Sequence, residues 1–182
     1  MSLSTRFRLC ALALPAILFV AGCGQKNNQV VHNDEGEPNV KAPLVSSLKM
    51  SDPSAKEQLA KGVYGLENGM WRWTGGNFTI MLKTPPGAAQ KGATLTLNLS
   101  VAEPVLKDVH SQSLTASVGA KALKTEKYPD PGAHTFTADV PVTLLTGDTV
   151  AIDFSLDNAL PPGPTDRREL GIIITAVSLD AN

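Results

Sequence analysis

Short segments in which apolar and more polar residues alternate recur along the chain after residue 62, separated by turns rich in proline and glycine. They constrain the fold more than any other feature. The segments cover residues 78–82, 95–101, 114–118, 136–140 and 150–156. Alternation with a period of two is typical of half-buried strands. Because the breaks between them read PPG, PDPG, TGD and PPGP, the pattern predicts an antiparallel sandwich or barrel.

The last segment and a helix signal complete the predicted fold. Residues 170–179 are apolar on both parities, so we expect a central strand that is covered on both faces. Asp52 or Ser54 can cap a short helix over residues 55–61, with Pro53 in its first turn and Gly62 as its stop. About eight strands and one leading helix favour a jelly roll. The predicted fold class is therefore all-β, an antiparallel jelly-roll-like β-sandwich over residues 55–182.

The N-terminal segment has the layout of a secretory signal. Arg6 and Arg8 precede an apolar run over residues 9–20, as in a signal peptide. A transmembrane helix needs about 20 apolar residues, and this run is shorter and contains Pro15. The following Val20-Ala21-Gly22-Cys23 resembles the lipobox of bacterial lipoproteins.

The lipobox resemblance implies cleavage of residues 1–22 and acylation of Cys23 with chains such as palmitate. Two or more acyl chains hold a protein firmly on a membrane. The alternative is an ordinary signal peptide whose cleavage site happens to contain a cysteine. Gly24 stands where some bacterial lipoproteins carry an aspartate for inner-membrane retention, so the family rule favours the outer membrane. The expected location is the bacterial cell envelope.

The residues after the anchor predict a tether, residues 23–54, which is rich in Asn, Gln, Gly, Pro and charge. Such a composition buries too little apolar surface to order itself.

Removing residues 1–22 removes two of 16 basic side chains and none of 17 acidic ones, so three acidic charges remain in excess. Nucleic acid is excluded as a partner, because it needs a basic face. Since both cysteines lie in the first 23 positions, the rest of the chain has no disulfide or thiol chemistry.

The chain lacks the common catalytic motifs. It has no G-x-S-x-G, H-E-x-x-H or G-x-x-x-x-G-K-[ST] sequence, so we predict that it is not an enzyme. Asp153 and Asp157 share one strand parity, but about 13 Å separates such positions, too far for a glycosidase pair. His110 and His134 match no metal motif. We expect His134 near a strand end with one hydrogen bond, and His110 in a loop.

No nucleotide, flavin or haem is expected, because the sequence contains no cradle for one. Calcium favours carboxylate and carbonyl oxygens. A structural calcium therefore stays open, although the sequence has no recognisable calcium loop. The candidate oxygens belong to Asp148, Asp157, Asn158 and Asp180.

The strongest interior signal is an aromatic segment with a central arginine. In extended geometry Trp71 and Trp73 point to one face, and Arg72 points to the other. Two tryptophans do not easily share one small core with both indole N–H groups satisfied. One interpretation is that the pair is structural. The other is that one tryptophan stacks on a pyranose ring.

Arginine is scarce after residue 22, where only Arg72, Arg167 and Arg168 occur. Its planar fork favours pairing with a carboxylate. One hypothesis is a clasp between the first and last strands, with Glu67, Asp166 or Glu169 as partner. The other is a polar sugar-binding rim beside the tryptophans. The rim would consist of Glu67, Arg72, Asp157, Asn158, Asp166 and Arg168.

Three motifs carry a family resemblance. The stretches GLE at 65–67, MWRWT at 70–74 and DRRELG at 166–171 resemble jelly-roll, galactose-binding-like domains found beside enzymes that build or modify bacterial surface glycans. The likeness covers about residue 62 to the C-terminus. It implies a sandwich and a connection to carbohydrate. Those domains often accompany a catalytic domain, for which this sequence shows no motif.

The sequence thus predicts a noncatalytic, lipid-anchored envelope lipoprotein that binds carbohydrate or associates with surface glycan. The alternative is a structural lipoprotein that binds another envelope protein and no sugar. An enzyme with an atypical site comes third. An exposed tryptophan among polar groups favours the first interpretation, and a broad apolar patch favours the second.

Overall fold

The computed structural model describes residues 42–182, which form nine strands and four short helices. The strands are β1 Ser47–Lys49, β2 Leu59–Glu67, β3 Trp71–Lys83, β4 Ala93–Val101, β5 Gln112–Val118, β6 Lys121–Tyr128, β7 Gly132–Val140, β8 Thr149–Leu156 and β9 Ile173–Ala181. The α-helices are α1 Ala88–Lys91 and α2 Glu103–Val109, and 3-10 helices cover Pro53–Gln58 and Val142–Leu144. The predicted signal peptide, the lipobox-like segment and the predicted tether up to residue 41 lie outside the described residues.

One long strand joins the two layers of the sandwich. Neighbouring strands follow the order β6-β5-β8-β3-β9-β4-β7, with β2 paired to β3 and β1 paired to β9, and each of these pairings is antiparallel. Asn77–Lys83 of β3 pair with β8, whereas Arg72 and Trp73 pair with β9. Strands that switch sheets in this way form the corners of a sandwich. The first layer is therefore β6, β5, β8 and the second half of β3; the second layer is β7, β4, β9 and the first half of β3.

The apolar parities predicted from the sequence form the core between the layers. Phe78 of β3, Phe136 of β7 and Ile152 of β8 are buried almost completely. Phe78 and Phe154 are paired across β3 and β8, and their rings stack with centroids 4.7 Å apart. The predicted all-β, antiparallel, jelly-roll-like sandwich is confirmed.

The last strand is central, but only one of its faces is covered. β9 pairs with β4 on one side and with β3 and β1 on the other. A register shift opposite Asn98 and Leu99 places one extra residue near Thr175, so Ile174 and Val177 both point inward despite their opposite parities. Such a shift is a β-bulge. Thr175 and Asp180 are exposed, and the prediction of two covered faces is wrong.

The domain begins earlier than its composition suggests. Residues 47–54, assigned above to the tether, include β1, and β1 pairs with β9. Leu48 is 3% exposed and Met50 is fully buried. The tether prediction is wrong for this part, because a three-residue strand is too short to give a period in the sequence.

The leading helix is shorter than predicted. Asp52 caps it by accepting a hydrogen bond from the Ser54 N–H at 2.8 Å, as the sequence indicates. The helix is a 3-10 helix that ends at Gln58, and β2 follows directly. Gly62 lies inside β2 with φ +66°, and a Cβ there would meet the Asn77 carbonyl oxygen. The glycine therefore allows β2 to approach β3 and does not stop the helix. Within residues 42–182, no helix is long and apolar enough to span a membrane.

Candidate functional site

The two tryptophans lie on the outer face of the second layer. Along β3, Arg72 and Thr74 are buried and point inward, whereas Trp71 and Trp73 are half-buried and point outward. Each tryptophan therefore keeps part of its ring in solvent. We call Trp71 and Trp73 the tryptophan pair.

A polar depression lies on the same face, two strands away. Trp73 is paired with Ile173 of β9, Ile173 with Ser100 of β4, and Ser100 with Ala133 of β7. Strands are spaced by about 4.8 Å, so the Ser100 backbone lies roughly 10 Å from that of Trp73. The depression has a volume of about 470 Å³. Its lining residues are Asn98, Leu99, Ser100, Ala133, His134, Thr135 and Thr175.

Hydrogen bonds order part of this polar depression. The Thr135 hydroxyl donates to the Asn98 side-chain oxygen at 3.2 Å, and the Thr175 hydroxyl donates to the Asn98 main-chain oxygen at 3.4 Å. Because its oxygen is held in this way, the Asn98 side chain presents its amide nitrogen with a fixed orientation. The depression thus offers hydroxyl and amide groups among small side chains.

An arginine clasp borders the tryptophan pair on the other side. Arg168 contacts Glu67 at 2.7 Å and Asp166 at 2.8 Å, and its guanidinium lies 5.2 Å from the centre of the Tyr64 ring. Glu67 is the cross-strand partner of Trp71, so the clasp adjoins the tryptophan pair. Hydrogen bonds from Arg168 lower the pKa of Asp166 to about 2. Hydrogen bonds to Asp166 and Glu67 in turn raise the pKa of Arg168.

The predicted clasp therefore exists, with two of the three candidate carboxylates. The third, Glu169, instead accepts a hydrogen bond from the Gly76 N–H at 2.7 Å. The Arg168–Glu67 contact ties the loop at residues 166–169 to β2, and the Glu169–Gly76 hydrogen bond ties it to β3. Both strands are far from the loop in the sequence. The clasp holds the loop before β9 against the first strands, and a third of the Arg168 side chain is still exposed at 33%.

Arg72 does not belong to a sugar-binding rim. It is 7% exposed and donates to the main-chain oxygens of Met50 and Tyr64, both at 3.3 Å. The alternation of β3 turns it toward the interior, away from the tryptophan pair. Its predicted role as a rim residue is wrong, because a buried inward side chain does not reach a ligand on the outer face.

Asp157 and Asn158 contact the start of β5 instead of the clasp. The Ser113 N–H donates to the Asp157 carboxylate at 2.7 Å, and the Gln112 side chain donates to the Asn158 main-chain oxygen at 3.1 Å. Burial raises the pKa of Asp157, but hydrogen bonds from Ser113 and Asn158 outweigh burial and lower it overall. These contacts give both residues a structural task at the end of β8, and the structure does not join them to the tryptophan pair.

The histidines occupy different local environments. His134 lies in β7, where its Nε2 atom is 3.0 Å from the Asp130 main-chain oxygen and its ring packs on Tyr128. This is the single hydrogen bond near a strand end that the sequence predicts. His110 lies in the short loop between α2 and β5, as predicted, where it caps the C-terminus of α2 with φ +62°. Among residues 42–182, no three His, Cys, Asp or Glu side chains cluster closely enough to hold a metal ion.

The structure thus joins five of the eight predicted ligand-binding residues in one region: Glu67, Trp71, Trp73, Asp166 and Arg168. Sequence reasoning missed the residues of the polar depression. Asn98 and Ser100 stand on the polar parity of their strand, which marks them as outward-facing. Their place beside the tryptophan pair follows from strand order, which the sequence pattern does not give.

Comparisons with known proteins give structural neighbours only. No family model matches the chain, and no curated protein matches it. One similar structure is a GH115 4-O-methyl-α-glucuronidase with specificity for decorated arabinogalactans, at 12% identity and a TM-score of 0.44; the match covers 78% of this chain and 18% of that one. This chain therefore corresponds to a small part of that enzyme.

Two further neighbours are carbohydrate-binding modules. The module CsCBM6-3 from Clostridium stercorarium, solved with cellobiose, is 9% identical with a TM-score of 0.41, and the match covers 76% of this chain and 95% of that one. A CBM4 structure is 13% identical with a TM-score of 0.38, and the match covers 75% of this chain and 85% of that one.

Proposed function

We propose that this protein is a noncatalytic carbohydrate-binding module, anchored by lipid at Cys23 to the bacterial outer membrane. The observation that carries the proposal is the outer face of the second layer. There the tryptophan pair, Trp71 and Trp73, lies on the same face as the polar depression.

The chemistry of this face matches that of a sugar. A pyranose ring has an apolar face and a rim of hydroxyl groups. A half-buried indole offers flat apolar area with one N–H donor, while Ser100, Asn98 and Thr135 offer groups that exchange hydrogen bonds with hydroxyls. Small-molecule sites usually combine apolar area with a few fixed polar groups in this way.

The charges on this face favour an uncharged glycan. The side chains around the polar depression are amide, hydroxyl or alkyl groups, apart from His134. The nearest charged cluster on the face, Arg168 with Glu67 and Asp166, is paired internally and has an excess of one carboxylate. Lys49 is exposed on β1 opposite Ala176, which lies opposite Asn98, so it adds one cation to the same face. Because these charges cancel, an acidic sugar gains no net attraction and still has to desolvate its carboxylates, so we expect neutral oligosaccharides to bind more tightly than acidic ones.

The anchor and the module have complementary tasks in this proposal. The lipobox-like Val20-Ala21-Gly22-Cys23 would hold the chain on the membrane, and the sandwich would bind glycan at the envelope. Mass spectrometry of the mature N-terminus tests the anchor. We expect a triacylated or diacylated Cys23, whereas a free thiol or a mature chain that begins elsewhere contradicts this part of the proposal.

Glycan binding is tested by titrating the purified protein with neutral and acidic oligosaccharides. The panel is cellohexaose, xylohexaose, laminarihexaose, chitohexaose, galactohexaose and hexagalacturonate, followed by tryptophan fluorescence and calorimetry. We expect binding of at least one neutral oligosaccharide. Trp71→Ala or Trp73→Ala should weaken it by about tenfold, which corresponds to 1.4 kcal/mol.

Met70→Ala is the matched control. Met70 is 57% exposed at the tip of the β2–β3 hairpin, so its loss removes a large side chain beside Trp71 without touching the tryptophan pair. Its affinity should stay near that of the wild type. Because the tryptophans are half-buried, their variants should melt at lower temperatures, so circular dichroism has to confirm that each variant is folded at the temperature of the titration. Binding of hexagalacturonate alone, or an affinity that neither tryptophan variant changes, contradicts the proposed site. Failure of the whole panel at millimolar concentration favours the alternative, a protein-binding lipoprotein.

A further inference from the structure

The outer edge of β7 is a long regular strand edge. β7 stands last in the strand order and pairs with β4 over nine consecutive positions, from Gly132 opposite Val101 to Val140 opposite Ala93, with no register shift. Within residues 42–182, its other edge pairs with no strand. Ala133, Thr135 and Thr137 on it are small and exposed. Its main-chain N–H and C=O groups are therefore accessible to a further strand.

The other strand edges of the domain are protected. β6 carries three lysines, and its pairing with β5 is shifted after Ala116. Lys124 and Glu126 of β6 share the parity of its inward face and pair at 2.6 Å. β2 has three register shifts against β3. Lysines, inward charges and bulges all block the addition of a strand, and β7 has none of them along its nine residues.

A groove lies beside the last four residues of β7, residues 137–140, on the side of β6. It consists of two adjoining clefts of about 460 Å³ and about 380 Å³, which share Leu123 and Asp139. We call these clefts together the edge groove. Its lining includes Lys91, Lys121, Leu123, Lys124, Thr137 and Asp139.

The charges of the edge groove favour an acidic occupant. Three lysines line it, Lys91 from α1 and Lys121 and Lys124 from β6. Lys124 pairs with Glu126 at 2.6 Å, so Lys91 and Lys121 stand against Asp139, which is the one acidic side chain of the lining. Opposite charges across an interface set the choice of partner.

We propose that the β7 edge binds an extended, acidic segment of a partner protein. The segment would pair with β7 as a further strand of the second layer and would lie in the edge groove. Main-chain hydrogen bonds to β7 would give affinity, and the lysines would select carboxylates in the added segment. The β7 edge shares Ala133 and Thr135 with the polar depression, but it includes neither tryptophan, and the edge groove lies on the side of β6.

The test uses the purified full protein and a displayed library of random nine-residue peptides, the length of β7. We expect the selected peptides to be acidic and to alternate apolar with polar residues. Peptides are then resynthesised with N-methyl groups on alternate residues, in both phases. A strand that pairs through one edge should lose binding when that edge is methylated and keep it when the other edge is methylated.

Charge-reversal variants test the role of the lysines. The double variant Lys91→Glu, Lys121→Glu should weaken acidic peptides by about tenfold or more. The matched control is Lys56→Glu, Lys107→Glu, which makes the same charge change at exposed positions outside the edge groove. An equal loss in both double variants would mean a nonspecific charge effect and overturns the proposal.

Three other results also overturn it. The first is a selection that enriches basic peptides or enriches no peptide at all. The second is that peptides methylated in either phase bind as tightly as each other. The third is that the protein forms concentration-dependent dimers in sedimentation, which the selected peptides do not dissociate. Failure of glycan binding leaves this experiment unaffected, since no peptide measurement involves the tryptophan pair.

Discussion

Replacing Gly171 by alanine should destabilise the sandwich, although the backbone conformation there suits any residue. A Cβ on Gly171 would lie 2.6 Å from the Gly75 main-chain oxygen, 2.6 Å from Leu156 Cδ1 and 2.9 Å from Thr74 Oγ1. The Gly171 N–H also donates to the Thr74 main-chain oxygen at 2.7 Å. Because this hydrogen bond holds the two chains together, the methyl group has to push them apart.

The size of the effect follows from the cost of overpacking. Inserting one methyl group into a packed site costs about 1–3 kcal/mol. At about 4 °C per kcal/mol for a domain of this size, the melting temperature should fall by roughly 4–12 °C. The displaced segment leads from Arg168 to β9, so the contact between Arg168 and Glu67 should loosen as well.

Gly65→Ala is the matched control. Gly65 lies in β2, has no left-handed φ, and would place its Cβ with no atom within 4 Å. Alanine restricts the unfolded chain, so this variant should be neutral or more stable by up to about 1 kcal/mol. Thermal unfolding by circular dichroism measures both variants. Equal melting temperatures for the two, or a stable Gly171→Ala protein, would refute the close approach of residue 171 to β3.

Two further predictions concern the core and the clasp. Phe78→Ala should cost about 3–5 kcal/mol in urea unfolding, and a double-mutant cycle with Phe154→Ala should give a coupling of about 0.5–1.5 kcal/mol for the stacked rings; additive losses would contradict the stack. The depressed pKa of Asp166, about 2, means that its stabilising contribution is present above the usual carboxyl pKa and is lost as the pH falls through about 2. In a carboxyl NMR titration, Arg168→Met should move the pKa of Asp166 back toward 3.8. An unchanged titration would show that Arg168 does not lower this pKa. The control is Glu67→Gln, which leaves the Arg168–Asp166 pair intact.

Local pattern predicted the elements whose residues alternate over long stretches. β4, β5, β7 and β8 fall where the apolar parity indicates them, because burial of one face imposes a period of two. α2, over Glu103–Val109, was missed, since a seven-residue helix with two buried residues gives no clear period of 3.6. β2 and β6 were missed as well. Their pairings carry register shifts, and a shift changes the parity that points inward.

In the candidate site, too, local pattern predicted some features, and long-range pairing decided the others. The alternation of β3 placed Trp71 and Trp73 on one face, and the structure bears this out. The scarcity of arginine pointed to a clasp between the first and last strands, and the structure shows that Arg168 makes it with Glu67. Arg72 was wrongly grouped with them, because residues close in sequence need not share a face of the sheet. The polar depression joins β4, β7 and β9, which are far apart in the chain.

The sequence alone determined the class of fold, the faces on which the residues of β3, β4, β5, β7 and β8 lie, and the start of the first helix near Asp52. These properties depend on neighbours within a few positions, where sterics and burial act directly. Only the tertiary structure decided which strands became neighbours, which edge of the sheet was left accessible, and which carboxylates Arg168 reached. Those outcomes depend on long-range pairing between segments up to about a hundred positions apart, such as Glu67 and Arg168, and local chemistry does not encode such pairing in a readable pattern.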